Sequence, residues 1–290
     1  GEFLAAVLPE DMSGSISTVP VSYREWMRTD RDYQAAVEHL AACAAAFHDL
    51  RNRTGREIHL GLEPEPDCAL ETTDEAVDFF ERRLRPAGAA WLKAHRGYST
   101  RKAEAILNRH IGVCLDTCHI SVQFERPVDS LATLERHGIR ISKVQVSAAL
   151  RVRTGSARVA RRLAAFVDPV YLHQAKSRDA RGRLTSYPDM TREVLAGWTG
   201  AGEVRDCRIH FHVPLYMSEY NGIATTAGDL TPAFFRAAAD AGVQHFEIET
   251  YTFHVLPPAL RRQNVERSIA REYAWVLNRF RPGSKLTPPR

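Results

Sequence analysis

Residues 112–119, GVCLDTCH, carry an apolar run that ends in a carboxylate, Asp116, and sets an imidazole, His119, three residues later. A carboxylate and an imidazole at the mouth of a buried strand are the donors a divalent cation recruits. Where parallel strands are buried, their carboxyl ends open into loops, and reactive groups collect there. Four further polar residues stand in the same relation to apolar runs: Glu63 closes LGLE, Gln145 lies in KVQVS, His212 in IHFHV and Glu249 in FEIE. Residues two apart in a strand share a face, so His210 lies on the face of His212 and Glu247 on that of Glu249. The earlier member of each pair is expected to support the later one.

The elements that must position these residues alternate. Residues 15–19 (SISTV), 58–63 (IHLGLE), 111–116, 141–147 (ISKVQVS), 207–213 (CRIHFHV) and 243–249 (VQHFEIE) read as strands. Between them Tyr33, Val37, Leu40, Ala44 and Phe47 recur at helical spacing, and Thr72 with Glu75 forms a capping box. Further helices are expected over 99–109, 130–137, 156–166, 231–241 and 261–280. Residues 170–187 break the rhythm and read either as a hairpin or as a strand with a long loop. The alternation predicts an α/β fold with a parallel sheet. A closed barrel has eight such units and six are secure, so either the sheet is open or the fold is a (β/α)8 TIM barrel incomplete at the N-terminus, its first two βα units absent from this chain. The open edge this leaves would invite pairing with a second copy, so a homo-oligomer is expected.

Composition narrows the class. The 290 residues, 44% hydrophobic and 26% charged, suit a single globular domain over 1–290 with a polar tail at 281–290. No apolar stretch is long enough to span a bilayer, which argues against membrane insertion. Five cysteines without a CxxC pair suit reduced thiols in a cytoplasmic protein, with Cys114 and Cys118 as packing residues. The excess of 39 Lys and Arg over 35 Asp and Glu is small and dispersed, which disfavours a nucleic-acid partner and favours a small-molecule substrate.

The motifs SISTVP, LEPEP, GVCLDTCH, KVQVS, YLHQ, HFHVPLY and EIETYTF resemble those of the xylose isomerase-like TIM-barrel superfamily, which holds sugar isomerases, epimerases and endonuclease IV-type enzymes, and are most similar to its metabolite-traffic members. The resemblance spans residues 4–280. It implies metal ligands at Glu63, Asp116 and Glu249, with His119 and His173 matching histidines of the endonuclease branch. Gln145 stands where a histidine is common, and Tyr171 replaces an aspartate of the endonuclease pattern. Those departures point to one divalent cation, Mn²⁺, Mg²⁺ or Zn²⁺, in place of a trinuclear zinc site. The implied chemistry is isomerisation or epimerisation of a small polyhydroxylated metabolite, with Glu63 and Glu249 moving the proton and His212 polarising the carbonyl. Trp198, Tyr216 and Tyr251 would wall the substrate. A non-catalytic metabolite carrier is the alternative, and DNA phosphodiester cleavage the third reading.

Overall fold

The computed structural model describes residues 1–198, 205–249, 252–261 and 264–280. The polar tail at 281–290 and Tyr251 lie outside these. Among the described residues the strands are β1 (Gly14–Thr18), β2 (Ile58–Leu62), β3 (Ile111–Asp116), β4 (Ile141–Val146), β5 (Leu150–Arg153), β6 (Ala175–Arg178), β7 (Leu184–Tyr187), β8 (Asp206–Ile209), β9 (Glu219–Tyr220), β10 (Ile223–Thr225) and β11 (Phe246–Ile248). The chain divides into two compact units. One comprises Gly1–Asp116, Asp129–Val144 and Ala237–Phe246, and the other Thr117–Val128, Gln145–Arg236 and Glu247–Arg290.

The first unit is built on the parallel sheet ordered β1-β2-β3-β4-β11. Gly14 pairs with Ile58 and Leu60 with Ile111, so the strands run in step. All six residues of β3 are buried, the continuous apolar run expected of a strand covered on both faces. Its 25-residue helix (Asp30–Thr54) starts at a capping box between Thr29 and Asp32 and stops at Gly55, whose φ of 73° is open to glycine at no steric cost. Val37, Leu40, Ala41 and Ala44 form its buried stripe, while Leu50 and Phe47 pack with Ile58 and Ile16. Glycine is required at 112 for a different reason. A Cβ there would lie 2.3 Å from the Arg140 carbonyl oxygen, so β3 and its neighbour touch backbone to backbone. Gly112→Ala should therefore destabilise the protein by about 2–3 kcal/mol, read as a lower midpoint in urea unfolding.

The second unit contains an antiparallel sheet ordered β7-β6-β8-β5-β10-β9. This overturns the expectation of a (β/α)8 TIM barrel: five strands are parallel, and the segment 207–213, read above as a further parallel strand, supplies β8 between antiparallel β6 and β5. The physical reason lies in its residues. Cys207, Ile209, Phe211 and Val213 alternate with Arg208, His210 and His212, the period of a strand with unlike faces, whereas a doubly covered parallel strand is apolar throughout. LRVR in β5 alternates likewise, buried then exposed. Residues 170–187 contain the hairpin of β6 and β7, whose turn is tied by Asp179 accepting from the backbone N–H groups of Arg181 and Arg183 at 2.9 Å each. Phe166 packs edge-on to Phe211, ring centres 5.1 Å apart, in the core beneath. No helix among the described residues is long and apolar enough to cross a membrane, and all five cysteines are free thiols.

Candidate metal centre

Of the residues named from the sequence, Glu63 and Asp116 belong to the first unit. Glu63 follows β2, its backbone N–H donating to Thr18 at 3.0 Å, and Asp116 ends β3 with its side chain buried. A carboxylate oxygen of each lies within 4.8 Å of the other, so two adjacent strands deliver two acids to one place. His119, Gln145, His173, Trp198, His212, Tyr216 and Glu249 belong to the second unit.

In that unit a short helix, Thr117–Val122, is pinned to residues 145–147. The Thr117 hydroxyl donates to the Ser147 carbonyl at 2.8 Å, with the Gln145 carbonyl 3.2 Å away, and accepts from the Ser147 N–H at 3.0 Å. The Cys118 N–H donates to the Ser147 hydroxyl at 2.9 Å. This fixes the first turn and with it the side chains of Cys118 and His119. Gln145 takes part through its main chain, and its side chain is buried.

β8 and the residues after it bring the other donors. Cys118, His210 and His212 each place a ligand atom within 4.8 Å of the others. His119 Nε2 and His210 Nε2 are 3.0 Å apart. His210 Nδ1 donates to Gln174 Oε1 at 2.8 Å, which directs the lone pair on His210 Nε2 toward His119. An amide holding the outer nitrogen of an imidazole is the usual way a ligating histidine is aimed. Burial, and after it the neighbouring imidazoles of His119, His212 and His173, keep the pKa of His210 well below its ordinary value, so the ring is neutral at physiological pH. His212 is steadied by Thr252 donating to its carbonyl at 2.6 Å, and its Nδ1 is 3.9 Å from a Glu249 carboxylate oxygen.

The donors suit a borderline cation. Two imidazole nitrogens on one tetrahedral zinc stand about 3.4 Å apart, close to the 3.0 Å between His119 and His210. Imidazole and thiolate donors select zinc or a later transition metal over Mg²⁺. No family model, curated protein or solved structure matches this chain. Function must be argued from its residues.

His173 is placed differently from a ligand. Its Nε2 forms a very short contact with Asp168, and its Nδ1 donates to the His210 carbonyl at 3.3 Å, so both ring nitrogens are taken. Its contribution is to hold the strand that carries His210. Trp198 is buried against Tyr187, ring centres 5.4 Å apart, and Tyr216 is closed in by Ser268 at 3.0 Å and by the Arg271 guanidinium over its ring. Sequence reading passed over Gln174, for which YLHQ gives no signal. It assigned Cys118 to packing and His210 to a supporting role, although the HFH alternation puts His210 and His212 on one face.

The C-terminal helix (Val265–Phe280) braces the segment after β8 through Glu272. Glu272 Oε2 accepts the Leu215 N–H at 3.1 Å, while Oε1 has no hydrogen-bond partner among the described residues. Burial outweighs that hydrogen bond and pushes the carboxyl up from 4.5 to about 8. Because the folded pKa lies above the unfolded one, this group's contribution is fully present below pH 4.5 and is lost as pH rises toward 8. Glu272→Gln keeps an acceptor for Leu215 and cannot ionise. It should flatten the fall in stability across that window, a gain on the order of a few kcal/mol at pH 8 by denaturant unfolding.

Proposed function

We propose that this protein is a divalent-metal enzyme of the isomerase or epimerase kind, acting on a small polyhydroxylated metabolite. The observation that carries the metal is the convergence of Cys118, His210 and His212, with His119 3.0 Å from His210 and the lone pair of His210 aimed by Gln174. Zinc fits these donors best. When bound, such a cation polarises a carbonyl and its neighbouring hydroxyl, which makes the carbon between them more acidic. Glu249 supplies what an isomerase needs next. It is a carboxylate, one quarter exposed and 3.9 Å from His212 Nδ1, and in this reading it takes a proton from substrate carbon and returns it. The five free thiols accord with a reducing, cytoplasmic setting.

The test has two readings. Protein purified without added metal is analysed for its elements, and the metal-loaded protein is incubated in D₂O with a panel of aldoses and ketoses. About one zinc per chain and deuterium gained at the carbon beside the carbonyl are the expected results. Bound metal and bound sugar without exchange would make the protein a carrier, and no metal at all would remove the enzyme reading.

A further inference from the structure

The polar face of the antiparallel sheet carries an arrangement that the metal centre does not explain. Lys176 in β6 pairs in register with Arg208 in β8, and Arg208 with Arg151 in β5, so three cations stand side by side across three adjacent strands. Like charges directly opposite one another destabilise a sheet. In the next row Arg178 and Arg153 flank a single acid, Asp206, and Asp229 is the other carboxylate that acts on Arg151 and Arg208.

Arg208 is the centre of this row. It is 8% exposed, its Nη1 donates to the Ser121 carbonyl at 2.6 Å, and its Nε has no hydrogen-bond partner among the described residues. Asp206 is occupied elsewhere, accepting from Arg151 at 3.2 and 3.0 Å. A buried guanidinium whose Nε goes unsatisfied is costly. Over it lies Phe124, with the guanidinium carbons of Arg178 and Arg208 at 4.4 and 4.5 Å from the ring centre. The φ of Phe124 is 63°, a left-handed backbone that an aromatic residue rarely adopts. Strain of this kind persists where the surroundings enforce it, and it gathers at ligand sites. Arg151 and Arg178 keep 47% and 42% of their side chains exposed, so Arg208 is reached from solvent beside these two, while Lys176 is buried.

The geometry points to a phosphate site, in which Arg208, Arg151 and Arg178 hold a phosphomonoester beside Phe124. Guanidinium forks match the oxygens of that anion. Arg208 lies two residues before His210 on the same strand face, and the carbonyl it binds lies two residues after His119. The phosphate would therefore be the tail of a substrate whose carbon end reaches the histidines, which makes the substrate a phosphorylated polyol. That last step rests on the metal-enzyme reading, and the phosphate site does not.

Isothermal titration of chelator-treated protein with inorganic phosphate, a hexose monophosphate, the unphosphorylated hexose and a short single-stranded DNA tests this. Saturable phosphate binding is expected, weakened at least about tenfold by Arg208→Met. That variant should fold as well as the wild type, since an apolar side chain of similar bulk replaces an uncompensated buried charge. Arg178→Gln, at a half-exposed position, should weaken binding without touching the core. Absence of phosphate binding, or equal binding by both variants, overturns the site. Equal affinity for hexose and hexose phosphate overturns the substrate class, and tighter binding of DNA through the same arginines overturns the small-molecule assignment. Phosphate binding by a protein that holds no metal as purified, before any chelator treatment, leaves the site standing and removes the enzyme.

Discussion

His210→Ala should leave the protein with at least about a hundredfold weaker affinity for zinc, measured by competition with a chromophoric chelator. His210 contributes more than one donor. It is fully buried, 3.0 Å from His119 Nε2, within 4.8 Å of the ligand atoms of Cys118 and His212, and aimed by Gln174. Deleting the ring also removes the acceptor that orients His119 and leaves the Gln174 amide oxygen without its donor, a loss of about 1–3 kcal/mol in the metal-free fold. The two effects separate cleanly. Unfolding without metal reports the packing loss, and the additional stability conferred by zinc reports the site, because a ligand that binds only the folded state stabilises it in proportion to its affinity. Gln174→Leu offers a milder companion, expected to weaken zinc about 10–100-fold with both rings in place. A His210→Ala protein with unchanged zinc affinity would show that these donors do not form a metal centre.

The parts of this architecture that could be read from the chain are those in which one residue pattern admits one structure. β1 to β4 and β11 fall on the expected strands because their residues form apolar runs bounded by turns and helix caps, with Thr72 and Glu75 forming the expected capping box. The antiparallel sheet was missed for two reasons. β5, β9 and β10 are two to four residues long, too short for periodicity to register. In β8 the alternation was present but was weighed as metal chemistry on a parallel strand, when it also marks a sheet with one polar face. The same alternation puts Arg208, His210 and His212 in line. It links the cationic row to the histidines, a link that a parallel barrel strand does not suggest.

What the chain does not spell out is the supporting layer. Gln174 and Asp168 act through His210 and His173, and nothing in YLHQ distinguishes an amide that aims an imidazole from one that faces solvent. Pairings of this sort depend on strands brought together from positions 36 residues apart, as His210 and Gln174 are. Long-range partnership is set by topology, and topology was the part of the sequence reading that failed.

Glu249→Gln is the substitution that separates binding from chemistry. The carboxylate lies 3.9 Å from His212 Nδ1 and is one quarter exposed, so it can meet solvent and substrate from the loop after β11. The amide keeps the size of the side chain and an oxygen acceptor, but it cannot take up a proton. The expected result is zinc content and sugar affinity within about twofold of the wild type, with solvent-deuterium exchange slowed about 10²–10⁴-fold, the usual contribution of a positioned general base. A fall confined to kcat with KM unchanged would mark an interaction made in the transition state, whereas a rise in KM alone would make Glu249 a binding residue. Loss of zinc together with activity would move Glu249 into the metal's own coordination. Exchange at the wild-type rate would leave proton transfer to some other group and remove Glu249 from the reaction.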